Sequence, residues 1–460
     1  MSSTDNDGGS IPNLISLSQI PSNMLQEIET DLLEPVVFNQ GSTSQDGFIR
    51  WTLQNKGFLH SHSKIFMSVS VTGLVEDGYF NPVTGIGQLI KKAVLKVGNK
   101  TLNEVSSWDG LYAAKSTLIK SENNLEREQF TTGRFMNTGF RYNAGSDVLS
   151  SAIGIDNGLE YDDGSNELTV PLFAKIDGTA NANNPTFAID LSDLFPFLKV
   201  NQLPLYMINE PVNIELTTYP TNGYRVQISS GDTADQVVTI DRASVKFCAD
   251  YVFYGSSDQM SRFAQANQDM SFSFVDYRLV ETSVTDTSLG NGIIRNLGMA
   301  NRVVPRIITS IADTGQGEST ILSYAGHAFA PDLAGGIPGT IKYNVRYNDR
   351  FEFTSDVDNT ARLFSILSDS EGVPFIPRSL YSAQKNSITT DTLEGRIQND
   401  NLLGKLFYLG TRLTNGRVGN RGLELHLTGS FPSSVDVMRN YCEYLRVCSL
   451  KNGMFDVFNA

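Results

Sequence analysis

Cations are in short supply in this chain. Lys and Arg total 36 against 50 Asp and Glu, for a formal charge of −14. A protein that grips a nucleic-acid backbone needs the opposite sign, and no basic run supplies a local patch, so sequence-specific nucleic-acid binding is not expected. Cysteine is equally sparse. Cys248, Cys442 and Cys448 are too scattered for a disulfide framework, and no CxxC or His/Cys zinc spacing occurs. Three reduced thiols in strands of a chain made inside the cell are expected. No run approaches the ~18 apolar residues of a membrane span, so no transmembrane segment is expected. The opening MSSTDNDGGSIPNLISLSQIPS lacks the basic start and apolar core of a secretory signal. The expectation is a soluble chain not exported by the classical route.

Catalytic patterns are missing as well. No P-loop, G-x-G-x-x-G, G-x-S-x-G or H-E-x-x-H occurs. Of the four histidines, His60, His62, His327 and His426, the first two have a spacing that suits a pair of metal ligands. Nothing nearby completes a site, and exposed histidines near a strand end are the simpler reading. His426 falls on the polar side of a strand and is expected to be solvated. Ser61 and Lys64 fit S-x-x-K without its usual companions. The run Glu160-Tyr161-Asp162-Asp163 offers oxygen ligands that would suit calcium, but reads as a solvated loop tip. Asn99-Lys100-Thr101 is a glycosylation sequon that carries no meaning without a secretory signal. No catalytic, cofactor-binding or metal-binding residue is assigned, no cofactor is expected, and the chain is not read as an enzyme.

What fills the sequence instead is period-two alternation of β-branched and aromatic residues between Gly, Asn and Pro. FIRWTL (48–53), KIFMSVSVTGLV (64–75) and KAVLKVGN (92–99) are strands, followed by a helix in 106–124 that Ser106 or Ser107 is placed to cap. A Gly-, Asn- and Asp-rich stretch covers about 137–190, interrupted by a strand at 167–176. VNIELTT (212–218) and VKFCADYVFYGS (245–256) complete the first half. A short helix or linker around Met260, Phe263 and Ala264 follows. The second half repeats the grammar with strands at 272–284, 302–312, 339–353, 422–431 and 439–450, and a helix candidate at 358–372. Helices do not alternate with strands, so the chain is all-β: two antiparallel sandwiches or jelly rolls, duplicated, with a few short helices and long loops. The expected division is an N-terminal arm 1–25, a first unit 26–255, a linker 256–270, a second unit 271–452 and a tail 453–460.

The junction gives the pattern specificity. Asp250-Tyr251, then Arg262-Phe263-Ala264, then Tyr277-Arg278-Leu279-Val280-Glu281 resemble the corresponding signature of double jelly-roll major capsid proteins. Those proteins coat adenovirus-like, giant and polinton-like dsDNA viruses and virophages. Val170-Pro171-Leu172 and Leu203-Pro204-Leu205 resemble the paired PL segments of that family's first roll. The altered Phe173-Ala174-Lys175 points to the smaller polinton-like or virophage coats. The resemblance implies two consecutive jelly rolls, and a homotrimer whose six similar units make a pseudo-hexameric capsomer tiling an icosahedral shell. It implies location in the virion, assembled inside the host cell, with neighbouring capsomers and minor capsid or penton proteins as partners. The loops 137–167 and 313–338 are assigned to an outer rim. For the arm and the tail it leaves two placements open: under the shell against neighbours, minor proteins or an internal membrane, or, for the tail, on its own second roll. The competing classes are a two-sandwich carbohydrate-binding or adhesion protein and a jelly-roll glycoside hydrolase.

Overall fold

Alternation fixes the strands. In Val212–Thr218, Val212, Ile214, Leu216 and Thr218 are buried while Asn213, Glu215 and Thr217 stay partly exposed, because successive side chains leave a strand on opposite faces. Ile214 pairs with Trp51 on one side and Leu95 on the other, so one apolar row crosses three strands. The computed structural model describes residues 26–72, 84–119, 184–221, 237–283, 289–312, 342–358, 408–429 and 437–459 almost continuously, with short pieces between them.

The first half contributes β1 (Gln26–Leu33), β2 (Gly47–Thr52), β3 (Lys64–Thr72), β4 (Ile90–Val97), β5 (Lys100–Ser106), β6 (Thr186–Asp190), β7 (Val212–Thr218) and β8 (Lys246–Tyr254). The second half contributes β9 (Asp269–Ser283), β10 (Leu289–Gly298), β11 (Arg306–Ala312), β12 (Lys342–Tyr347), β13 (Arg350–Phe351), β14 (Tyr408–Arg412), β15 (Leu423–Gly429) and β16 (Val437–Lys451), with β17 (Met454–Asn459) added at the end. The sheets of the first half run β1-β8-β3-β6 and β2-β7-β4-β5; those of the second run β9-β16-β11-β14 and β10-β15-β12-β13. Adding eight to each label of the first half gives the second. Every one of these pairings is antiparallel. Short strands at Val37–Asn39, Phe58–Leu59 and Val237–Ile240 extend the first half.

In each half the inward rows of the two sheets pack face to face, the usual way a sandwich buries its core. Trp51 and Phe247 meet at 6.4 Å between ring centroids in the first. Val345, Leu425 and Leu427 are buried in the second. The clean alternation read at 339–353 has one exception. Asn344, expected on the polar face, is buried. Its amide donates to the Phe353 carbonyl and to Asp356, and its oxygen accepts from the Phe353 N–H, so the following segment covers that outer face and satisfies the amide.

Three helices matter for the junction: α1 (Trp108–Ile119), α2 (Pro196–Val200) and α3 (Ser257–Ala266). The first falls where the apolar spacing predicts, but its start corrects the capping expectation. Ser106 ends β5, and Ser107 sits at φ 45° with its hydroxyl directed to Glu281 at 3.3 Å. The Ser107 carbonyl, not its side chain, serves the helix, accepting the N–H groups of Gly110 and Leu111. The third helix occupies the expected linker. Of the rim assignments, the paired strands Arg141–Ala144 and Asp147–Ser150 are described. The arm 1–25, residues 160–163 and 313–338, His327, Val170 to Ala174 and most of the helix candidate at 358–372 lie outside the described residues.

Candidate functional site at the junction of the two halves

Two carboxylates stand in phase with apolar residues, and both are buried where the halves meet. Asp276 follows Phe272 and Phe274 on one face of β9 and is 2% exposed. One carboxylate oxygen accepts from Asn103 Nδ2 at 3.1 Å and from the Tyr277 N–H at 3.0 Å. The other accepts from Arg446 at 2.7 Å and from the Tyr444 hydroxyl at 3.3 Å. Arg446 also donates to the Leu102 carbonyl at 2.9 Å, and the Asn103 oxygen accepts the Phe197 N–H at 2.8 Å. A charge and an amide thus join β5 and α2 of the first half to β9 and β16 of the second. Burial pushes the Asp276 carboxyl above its ordinary range against the opposing pull of Arg446.

Glu443 builds the second lock. It accepts from the Tyr277 hydroxyl at 2.5 Å and from Arg306 Nε at 2.8 Å, with Lys115 Nζ of α1 4.0 Å away. Lys115 in turn donates to the Tyr277 hydroxyl and lies over that ring. Burial raises the Glu443 carboxyl, but the charges of Arg306 and Lys115 and the hydrogen bonds from Arg306 and Tyr277 outweigh it, so its pKa is lowered. Two cations against one account for the opposite outcomes at Glu443 and Asp276. Nearby, the Tyr441 hydroxyl donates to the Ser107 carbonyl at 2.8 Å. The helix approaches so closely that a Cβ on Gly110 would stand 2.5 Å from that hydroxyl. Arg439 and Ser107 both donate to Glu281.

Apolar packing completes the seam. Phe197 of α2 meets Phe274 at 5.1 Å and Phe272 at 5.8 Å, and Phe272 stacks on Phe455 of β17 at 6.2 Å. The tail therefore takes the second of its two expected placements. It pairs with β16, and it also reaches the first half: Lys100 binds Asp456 at 2.6 Å, Glu210 accepts the Phe455 N–H at 3.2 Å, and the Asn209 N–H bonds the Gly453 carbonyl at 2.9 Å. A cleft of about 430 Å³ opens beside the seam, lined by Glu104, Asp276, Arg278, Glu281, Tyr444 and Arg446. Its three carboxylates are already paired, Glu104 with Lys92, Asp276 with Arg446 and Glu281 with Arg439. The arrangement holds two sandwiches in one fixed relation.

The residues singled out in the sequence divide between this seam and other places. Tyr277 and Glu281 lie in it. Asp250 instead accepts from Thr30 at 2.6 Å within the first half, and Phe263 of α3 meets Phe58 at 6.2 Å. His60 and His62 lie at a turn with rings 5.1 Å apart, and the His62 N–H donates to His60 Nδ1 at 3.1 Å. Among the described residues no group of three or more His, Cys, Asp or Glu could hold a metal ion. His426 is less solvated than expected, 3.3 Å from Glu424 and edge-on to Phe351 at 5.0 Å. Cys442 and Cys448 are buried free thiols, Cys248 a partly exposed one. Sequence reading passed over Asn103, Asp276, Glu443 and Arg446. The available signal was a charge in register with a run of buried aromatics.

No protein-family model matches the chain, and no curated protein matches it in sequence. Solved structures do. A chain of the PBCV-1 virus capsid is 12% identical over 95% of this chain and 98% of that one, with a TM-score of 0.54. A chain of the Sputnik virophage is 8% identical over 94% and 88%, with a TM-score of 0.55. The Faustovirus major capsid protein is 10% identical over 92% and 90%, with a TM-score of 0.50. This chain has the double jelly-roll fold. The expected fold class is borne out over nearly the full length, at identities where only architecture is shared. In double jelly-roll terms the seam is the inter-roll interface, and β5 with α1 and α2 is the face that the first roll turns toward the second.

Proposed function

We propose that the chain is a major capsid protein: three copies close into a ring of six sandwiches, a pseudo-hexagonal capsomer that tiles an icosahedral virion shell. One observation carries this, namely that a single strand order occurs twice in one chain and the two copies are locked by buried charge and aromatic packing. A ring of six similar units needs each chain to behave as two equivalent blocks at a fixed angle, and a seam of buried paired charges fixes an angle better than apolar contact alone. The division into rolls 26–255 and 271–452, with the linker helix between them, belongs to the same reading, as does β17 acting as a clasp instead of a free tail.

Neighbouring capsomers and minor capsid or penton proteins would be the partners, and the virion the location, with assembly inside the host cell. Catalysis has no part in this reading. No helix among the described residues is long and apolar enough to cross a membrane. With a formal charge of −14, capsomers repel one another over a Debye length of roughly 8–10 Å, so cohesion would rest on short-range burial. The test is the mass of the purified chain by light scattering. Three times 50.5 kDa is expected; a monomer at all concentrations would contradict the proposal.

A further inference from the structure

The duplicated strand order gives each of the eight main strands of one roll a counterpart in the other. The β4–β5 hairpin turns at Gly98-Asn99, with Gly98 at positive φ, and the β12–β13 hairpin turns at Asn348-Asp349, with both residues at positive φ. Their registers agree: Val97 faces Lys100 as Tyr347 faces Arg350, and Lys96 faces Thr101 as Arg346 faces Phe351. In the first roll this hairpin is engaged. Lys100 binds Asp456 and the Phe455 carbonyl of the second roll, and Thr101 lines the junction cleft with Tyr277. In the second roll the turn residues Asn348 and Asp349 are held by the 417–421 segment of the same roll, but the two residues after them face outward. Phe351 is 50% exposed, and Arg350 has no ion pair or side-chain hydrogen bond among the described residues.

The receiving surface has a counterpart too. β11 first meets β16 at Arg306 opposite Glu443, and β3 first meets β8 at Lys64 opposite Cys248. Matching those rungs puts Leu32 at the place of Tyr277 and Glu27 at the place of Phe272. Tyr277 is 5% exposed, whereas Leu32 is 65% exposed, with Ile28 at 55% and Val36 at 64%. Phe272 stacks on Phe455, whose carbonyl takes Lys100, so Glu27 stands where the counterpart of Lys100 would arrive. Most charges on the two surfaces are paired within the chain, Glu29 and Asp31 with Lys56, Glu34 with Lys246, and Arg346 with Glu424 and Asp349, which leaves Arg350 and Glu27 as the complementary pair. Like Arg350, Glu27 has no partner among the described residues.

We propose that the β12–β13 hairpin of one copy docks on the β1–β8 pair of the next, Arg350 against Glu27 and Phe351 against the Ile28–Leu32 strip. It repeats between copies the contact that the β4–β5 hairpin makes within the chain. The two mating surfaces lie on different rolls, so the contact is head-to-tail instead of a two-fold dimer, and a ring results where three such steps complete the turn. This inference rests on the ring-of-three reading above.

The experiment compares the full chain with Arg350→Glu, Leu32→Glu and the exchange Arg350→Glu with Glu27→Arg. Mass is read by light scattering over a concentration series, and folding by circular dichroism and melting temperature. All three positions are exposed, so melting of the monomer should be unchanged. Each single variant should require at least about tenfold higher concentration to assemble, as reversal of an interfacial charge or burial of a new one implies, and the exchange should restore assembly. If the wild type is a trimer and both single variants assemble equally well, the docking surface is wrong while the shell reading stands. If the wild type never assembles, both fall.

Discussion

Removing Arg446 would strand a buried carboxylate, and the cost can be worked from the surroundings. Arg446→Met replaces the guanidinium that lies over Phe274 with an apolar side chain, and Asp276 loses the one cation that pairs with it among the described residues. Its remaining partners, Asn103, Tyr444 and the backbone, do not supply a charge. The chain's escape is to bind a proton, which at pH 7 costs about 1.36 kcal/mol for each unit above the ordinary 3.8 of the carboxyl, or about 4 kcal/mol in all. That agrees with the ~3–5 kcal/mol typical of deleting one partner of a buried pair. The folded variant then holds a proton that the unfolded chain lacks, so its stability falls as pH rises above 3.8 toward the raised folded value. The wild type has the same sign in smaller measure, because burial already lifts Asp276. Urea unfolding followed by far-ultraviolet circular dichroism, at pH 7 and pH 5, measures the deficit. It should shrink to below about 2 kcal/mol at pH 5, and Asp276→Asn added to Arg446→Met should recover most of it at pH 7. A deficit under about 1 kcal/mol at pH 7, or one equal at both pH values, would refute the reasoning.

Other perturbations test the rest of the seam. Glu443 has a lowered pKa, so its contribution is present above the ordinary 4.5 and is lost as pH falls through its folded value. Glu443→Gln should cost about 1–3 kcal/mol at pH 7 and flatten the acid side of the melting profile. An unchanged acid limb would count against the assignment. Gly110→Ala drives a methyl group into the Tyr441 hydroxyl and should cost about 1–3 kcal/mol. Combined with Tyr441→Phe it should cost less than the sum of the two, and strict additivity would contradict the close approach. Burial pushes the Cys442 and Cys448 thiols up to about 12, so a thiol reagent should label Cys248 alone in the folded chain and all three after denaturation. Equal labelling rates before unfolding would show the β16 thiols to be accessible.

The sandwiches were legible because burial writes itself into alternation: Val212–Thr218 buries every second residue, and Leu423, Leu425 and Leu427 are buried between Glu424 and His426 for the same physical reason. The helix at Trp108–Ile119 was legible from its spacing, but its start was not, since Ser107 turns its hydroxyl to Glu281 in the other half. Alternation places Asn344 opposite the apolar row, and its burial is not legible there because its cover comes from residues beyond the strand. The seam stayed hidden for a related cause. Asp276 has partners 173 and 170 positions away, Asn103 and Arg446, and sequence spacing carries no trace of such pairings. The strand order, by contrast, matches the two halves strand by strand.

Negative-stain imaging of the purified full-length protein bears most directly on the claim that two equivalent, locked sandwiches build a shell unit. Class averages should show a closed particle with a six-lobed outline and three-fold symmetry, one pair of lobes for each copy. Isolated two-lobed particles, or a two-fold dimer, would contradict it.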